Sequence, residues 1–378
     1  MPRFHDAVRR LACVLAAGVA LGLLVTAAPA AISIDLVTVG DPGNAGELSG
    51  RADLGTERVC GAVPYIYQIG TYEVTNAQYR AFLNSVARYS DPFGLHFGDP
   101  IYVGMFGGIV RSGSGTGGDP YVYGPKNNDP NWDTKPVNYA SWYSSLRFIN
   151  WLQNGQPVAE AGPGVTETGT YTLSDPSSVT DEDGITRTYY TVAIPDHASL
   201  TSPTWVLPTE DEWYKAAYYK GGGTAAGYWD YATQSDTLPD NNPPSEDSGN
   251  SADYSFLDSD PNTDQYAVGP PYYMTDVGAY TLSESAYGTY DQNGNVFELL
   301  EDPSPYGLPA RGIRGSSWAY YQGGLPAYMR DFDAGPGNAV SDTGFRIGLV
   351  PEPTALGLLA LGWLGALRAH RRRIGNAL

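Results

Sequence analysis

The stretch YIYQIGTYEVTNAQYRAFLNSVA, residues 65–87, changes its hydrophobic period midway. From Tyr65 to Val74 the residues alternate as in a strand with one buried face. Beyond Thr75, Tyr79, Phe82, Leu83 and Val86 recur at helical spacing, and Thr75 with Gln78 makes a T-x-x-Q capping box. A strand feeding directly into a capped helix is therefore the first predicted unit. KPVNYASWYSSLRFINWLQNG (135–155) predicts a second helix, capped by Ser141, with Trp142, Leu146 and Ile149 on one face and Gly155 ending it. LPTEDEWYKAAYY (207–219) predicts a third: Thr209 caps it, Glu212 closes the box, and Trp213, Ala216 and Ala217 face inward. Helical periodicity is confined to these places, while glycine, proline and tyrosine are plentiful throughout. With no repeat and no dividing linker, this pattern describes one large, loop-rich α+β domain.

The two ends read differently. MPRFHDAVRR, an apolar run from Leu11 to Ala27 and Ala28-Pro29-Ala30 have the order of a secretory signal peptide cleaved after Ala30. At the other end come Val350-Pro351-Glu352-Pro353, an apolar run from Thr354 to Leu367, and the basic Arg368, Arg371, Arg372 and Arg373. That run is too short to span an ordinary bilayer comfortably, and the arginines would hold it at the cytoplasmic face, giving a transient inner-membrane association. The three ordered elements resemble the PEP-CTERM sorting signal of Gram-negative bacteria, which implies processing by an exosortase. The expected division is thus a signal peptide (1–30), a single domain (31–350) and a sorting signal (351–378). It implies export to the periplasm, outer surface or extracellular matrix.

Charge and cysteine content narrow the function. The chain has 22 Lys+Arg and 41 Asp+Glu; removing Arg3, Arg9, Arg10 and Asp6 with one signal, and Glu352 and the four tail arginines with the other, leaves 15 against 39, a net charge of −24. Such a surface repels nucleic acid and anionic lipid and attracts cations. Only Cys13 and Cys60 occur, and Cys13 leaves with the signal. A single remaining thiol makes no internal disulfide, so the domain relies on its core, with bound metal as the other support open to it. Cys60, in ERVCGAVPY, has no base beside it and reads as a buried thiol. RSGSGTGGD (111–119) has G-x-G-x-x-G spacing, but the expected strand and helix around it are missing, so it reads as a loop without a phosphate role. Residues 156–204, rich in Thr, Ser and Asp, predict a hairpin-bearing insertion.

Six blocks, in order, resemble the sulfatase-modifying-factor family, which includes the formylglycine-generating enzymes: IGTYEVTNAQYRAFLN, KPVNYASWYSSLRFINWL, LPTEDEWYKAAYY, YGTYDQNGNVFELLED, RGIRGSSW and TGFRIG. They spread over nearly the whole domain. The resemblance implies a C-type-lectin-like, loop-rich formylglycine-generating-enzyme fold. The family's namesake oxidises a substrate cysteine with copper held by two cysteines, other members use non-haem iron held by three histidines, and still others bind ligands without known chemistry. Matching Gly315-Ser316-Ser317-Trp318 to the oxidase pattern puts Tyr320 and Leu325 where the copper cysteines stand. Neither side chain supplies the soft thiolate that copper(I) prefers. The domain's two histidines, His96 and His197, fall in separate segments and make no iron centre of that type. Copper and iron are therefore not expected.

Calcium is. In YDQNGNVFELLED the carboxylates of Asp291 and Glu298 and the carbonyls of Gly294 and Val296 are oxygen donors of the kind calcium takes. The resemblance implies a calcium site at these four positions, with Asp291 in place of the family's Asn. A second implied site uses Asp253 and the Tyr254 carbonyl in SADYS, with Asp264 and the Tyr266 carbonyl in DSDPNTDQY.

Ser317, Trp318, Tyr320 and Arg330, with Tyr321 and Tyr328, suggest a cleft for a polysaccharide or peptide ligand, because aromatic faces stack on saccharide CH groups. Arg314, Arg330 and Arg346 read instead as buried partners pinning glycine-rich loops. Glu301, Asp302 and Asp331 are the carboxylates a hydrolase would use, though their spacing does not distinguish acid–base work from surface charge. The expectation is an exported cell-envelope protein, stabilised by calcium, lacking the copper centre, and acting as a binding or structural component linked to exopolysaccharide. The alternative is a metal-dependent oxidase with an unrecognised site.

Overall fold

The computed structural model describes residues 31–98, 104–180, 184, 186–256, 265–304, 309–332 and 335–350; the expected signal peptide and sorting signal lie outside them. The chain enters on β1 (Leu36–Val39), makes a hairpin of β2 (Glu47–Ser49) and β3 (Arg58–Cys60), and reaches β4 (Tyr67–Gly70) and α1 (Asn76–Val86). A hairpin of β5 (Ile109–Ser112) and β6 (Val122–Pro125) precedes α2 (Trp142–Gln153), and a longer one, β7 (Thr172–Thr180) and β8 (Thr186–Ala193), follows it. Then come β9 (Thr204–Val206), α3 (Glu210–Tyr218), β10 (Ser255–Phe256) and β11 (Gln265–Tyr266). The C-terminal strands are β12 (Phe297–Pro303), β13 (Arg311–Arg314), β14 (Asp331–Phe332), β15 (Thr343–Gly344) and β16 (Gly348–Val350).

Two four-stranded sheets, ordered β1-β4-β16-β9 and β14-β13-β12-β15, carry the domain. All pairs within them are antiparallel except β12 with β15. In the first sheet Ile69 lies opposite both Val37 and Gly348, so strands from the two ends of the domain share one ladder. The expected strand from Tyr65 to Val74 is shorter than its alternation, because the ladder ends at Gly70. Beyond it the chain bends at Thr71 and Tyr72, and Val74 then bonds to Phe345 and Val137 through its own N–H and C=O.

All three predicted caps are present: Thr75 with Gln78, Ser141 with Ser144, and Thr209 with Glu212. Each box supplies partners to amide groups that a helix start leaves unpaired. α2 is buried all round from Trp142 to Leu152, not on one face only. Its Phe148 meets Tyr79, Phe82, Trp151 and Phe345 with ring centroids 5.5 to 5.9 Å apart, an aromatic core that joins α1, α2 and the C-terminal segment. The hairpin expected within 156–204 is β7 with β8. The glycine-rich stretch 111–119 differs from expectation in one respect: a strand, β5, does lead into it. It turns back into β6 instead of opening a helix, and a Cβ on Gly113 would sit 2.2 Å from the Pro120 carbonyl oxygen, so glycine is needed there. Among the described residues no helix is long and apolar enough to cross a membrane.

Candidate functional site

The loop 291–296 leads into β12, and its shape depends on left-handed backbone at Asp291, Gly294 and Asn295. Gly294 donates to Gly315 and Asn295 to the Asp253 carbonyl, and a Cβ on Gly294 would approach that carbonyl oxygen to 2.2 Å. Asp253 and Asp291, expected in separate calcium sites, are thus drawn together across one backbone bridge between Asp253 and Gly294. Asp291 accepts from the Gly278 N–H at 2.5 Å, and burial raises its carboxyl to about 6.

Glu298, on β12, is fully buried. Arg346 grips it through Nε and Nη2 at 2.8 and 2.7 Å, and Trp213 donates to Oε2 at 2.8 Å. Its first role is therefore to anchor Arg346, which also donates to the carbonyls of Gly70, Thr71 and Tyr290. Sequence reading missed Glu73. It lies past the bend at Thr71 and Tyr72, where it and the adjacent Val74 are both buried, so no period-two alternation marks it. It is 2 % exposed; Oε1 accepts from Asn295 Nδ2 at 3.2 Å and Oε2 has no partner. Burial first, then Asp291, drives its carboxyl well above the usual range.

Three carboxylates, the buried Glu73 and Glu298 and the half-buried Asp291, thus lie around one arginine. Asn295 Oδ1, Asp253 Oδ1 and Glu73 Oε2 are buried without hydrogen-bond partners. Buried polar atoms in native proteins are nearly always paired, so three orphaned acceptors in one neighbourhood suit a hard cation. Among the described residues no three His, Cys, Asp or Glu side chains form a metal cluster. The fit is instead to a mixed set: carboxylates of Asp291 and Glu73, the Asn295 amide oxygen, and the main-chain carbonyls of Gly294 and Val296. Of the second expected set, the pairing of β10 with β11 places Tyr266 opposite Ser255, next to Tyr254. Asp253 is at this loop, Tyr254 donates its hydroxyl to the Pro239 carbonyl at 2.8 Å, Tyr266 packs its ring on Tyr273 and Trp318, and Asp264 lies outside the described residues.

The expected aromatic cleft is corrected by burial. Ser317 is fully buried and donates to Asp342 at 2.7 Å. Trp318 is buried among Phe106, Tyr266 and Tyr273, with ring centroids 5.0 to 5.9 Å away. Tyr320 is half-buried between Tyr321 and Phe297, and Leu325 is fully buried against Ala252 and Tyr254. Arg330 makes a two-pronged pair with Glu210 at 2.7 and 2.6 Å and so faces away from any ligand role. Only Tyr321 and Tyr328 of that group present large exposed area. Glu210 also binds Arg314 and Arg58; burial raises its carboxyl, but the three arginines hold it down at about 2. Cys60 is buried beside Arg314, and burial pushes its thiol up to about 11.

The carboxylates suggested for hydrolysis do not converge. Glu301 accepts from Tyr171 and His197, Asp302 accepts from the Glu210 N–H and Arg58, and Asp331 accepts from the Phe332 N–H. His197 is sandwiched: Nδ1 lies 3.0 Å from both oxygens of Glu212, and Nε2 lies 3.2 Å from Glu301. Burial lowers its pKa, but the two carboxylates overcome this and raise it to about 11. His96 stands apart, against the Ile109 carbonyl. Because the imidazolium is favoured in the fold, its stabilisation is complete below the unfolded value of about 6.5 and is lost as pH rises toward 11. The penalty for His197→Gln is therefore expected to be largest near pH 6 and to shrink by roughly 1.4 kcal/mol per pH unit above about 7. Denaturant unfolding of both proteins at pH 6 and pH 9 checks this; an equal penalty at both values contradicts an imidazolium bridge.

Residues 61–349 match the family described as Sulfatase-modifying factor enzyme 1-like domain. Among solved structures the chain is similar to CarF (20 % identity, 84 % of this chain and 98 % of that one, TM-score 0.45). It is also similar to Treponema denticola variable protein 1 (18 %, 85 % and 96 %, 0.43) and to PvdO from Pseudomonas aeruginosa (16 %, 84 % and 92 %, 0.43). Among curated proteins no relative matches the chain.

Proposed function

The chain belongs to the sulfatase-modifying factor family, and we propose that it is an exported member that works by binding instead of by copper oxidation. One observation carries this reading: the two positions that resemble the copper cysteines are Tyr320 and Leu325, and Leu325 is enclosed in apolar packing. The single thiol of the domain, Cys60, is buried against Arg314, with its pKa raised away from the thiolate. Calcium at Asp291, Glu73, Asn295, Gly294 and Val296 would neutralise the excess carboxylates and tie the 291–296 loop to the end of β4 and to Asp253. The metal supplies positive charge and oxygen coordination there. The two terminal signals support delivery to the cell envelope, with an exosortase as processing partner and an extracellular polysaccharide as the associated material.

The direct test is incubation of the purified protein, with copper supplied, with a peptide carrying a cysteine in a sulfatase-like context. No aldehyde is expected by mass spectrometry after trapping with a hydrazide. Formylglycine formation by this protein would overturn the reading.

A further inference from the structure

A cavity of about 490 Å³ lies between the loop after α1, the first turns of α2, β8 and residues 337–340. It shares none of its lining with the 291–298 cluster or with the Ser317–Arg330 segment. From its chemistry we infer that it is a saccharide-binding subsite, an inference that rests on reading the protein as a binder.

One wall is a fixed stack. Arg147, 1 % exposed, has its guanidinium 4.4 Å from the centroid of Phe93 and 4.5 Å from that of Tyr190. Glu167 holds Arg147 in plane through two bonds of 2.6 and 2.9 Å. Tyr143 packs edge-on against Tyr190 at 5.0 Å, and its hydroxyl accepts from the Tyr190 N–H at 3.0 Å. Phe97 lies flat on Tyr139, with ring planes 2° apart. These aromatic surfaces are held by the core before any ligand arrives, so little ordering cost remains for binding. Flat, preformed aromatic walls suit the CH faces of a sugar ring, and the volume falls in the range of small-molecule sites.

The polar groups point the same way. None of the lining residues is Asp or Glu, although the domain carries a large acidic excess. Hydroxyls of Thr186 and Thr188 and the amide of Asn338 line the space, with Arg187 among them. Among the described residues the Asn338 side chain makes no hydrogen bond, which leaves donor and acceptor capacity for ring hydroxyls. An acid-free lining admits neutral and carboxylated sugars alike.

Gly337 gives a clean block. A Cβ there meets only ordinary contacts, 3.9 Å from the Thr188 carbonyl oxygen and 4.0 Å from Tyr143, and its φ is not left-handed. Gly337→Leu is therefore expected to fold and to fill the cavity. The test is isothermal titration of the full-length protein with a neutral glucose oligosaccharide and with an oligouronate, both in calcium. Binding of either sugar is expected, together with its loss in Gly337→Leu and about tenfold weakening in Asn338→Ala, a fold-change equal to one lost net hydrogen bond. Tighter binding of the oligouronate would assign Arg187 to a carboxylate, and equal binding would assign recognition to the aromatic walls; both support the subsite. No binding of either sugar, binding unaffected by both variants, or displacement of the sugar by a cysteine peptide would overturn it. A protein that makes no formylglycine and binds no saccharide leaves the binding role standing and removes this subsite alone.

Discussion

Replacing Arg346 by methionine is expected to lower the free energy of unfolding by about 3–5 kcal/mol, the usual cost of leaving a buried charge without its partner. Arg346 and Glu298 are both essentially unexposed, and their pairing is two-pronged. The substitution also strips donors from three carbonyls, at Gly70, Thr71 and Tyr290, which belong to the end of β4 and the entry to the 291–296 loop. Glu298 would be left with Trp213 as its donor and with Glu73 and Asp291 as unfavourable neighbours. A double replacement, Arg346→Met with Glu298→Gln, is expected to recover part of the loss, because it removes the stranded charge. Urea unfolding with a common m-value measures both. A single-variant loss below about 1 kcal/mol would mean that the pair behaves like a solvated one.

Glu73→Gln is expected to act with opposite signs in the presence and absence of calcium. Without the metal it removes a buried ionisable acid whose Oε2 has no partner and leaves a neutral amide, so stability at neutral pH rises. With the metal it removes a ligand, so the stabilisation that calcium confers shrinks. If the unaltered protein binds calcium here, that stabilisation would be about 2.7 kcal/mol at a calcium concentration one hundred times the dissociation constant. Asp291→Asn is expected to weaken calcium in the same direction. Thermal unfolding in chelator and across a calcium titration separates the effects. A Glu73→Gln protein that is destabilised equally in both conditions would show a packing role only.

The sequence made some of these features plain and hid others for identifiable reasons. The helix starts were legible because capping boxes are local: Thr75, Ser141 and Thr209 each act within three residues. The arginine pairs were legible in kind, since Arg314, Arg330 and Arg346 stand in a fold short of regular ladders, but Glu210 and Glu298 could not be matched to them by spacing. β12 was harder, because its first five residues are all buried and no alternation marks it. Trp318 looked like a binding aromatic for the same reason that it is a core one, a large ring beside glycines. Only packing against Phe106, Tyr266 and Tyr273 decides between them. Glu73 was overlooked because an isolated acid among polar residues reads as solvent-facing, and its burial follows from the bend at Thr71 and Tyr72. The cavity at β8 joins residues as far apart as Phe93 and Val340, a juxtaposition that depends on tertiary structure alone.

Elemental analysis by mass spectrometry of the protein, purified without chelator from a periplasmic expression host, bears most directly on what this domain is. Calcium at one or more ions per chain, with copper and iron absent, is the outcome that a calcium-held binding protein requires. Stoichiometric copper or iron would contradict it and assign the domain an oxidation chemistry that Tyr320 and Leu325 do not provide.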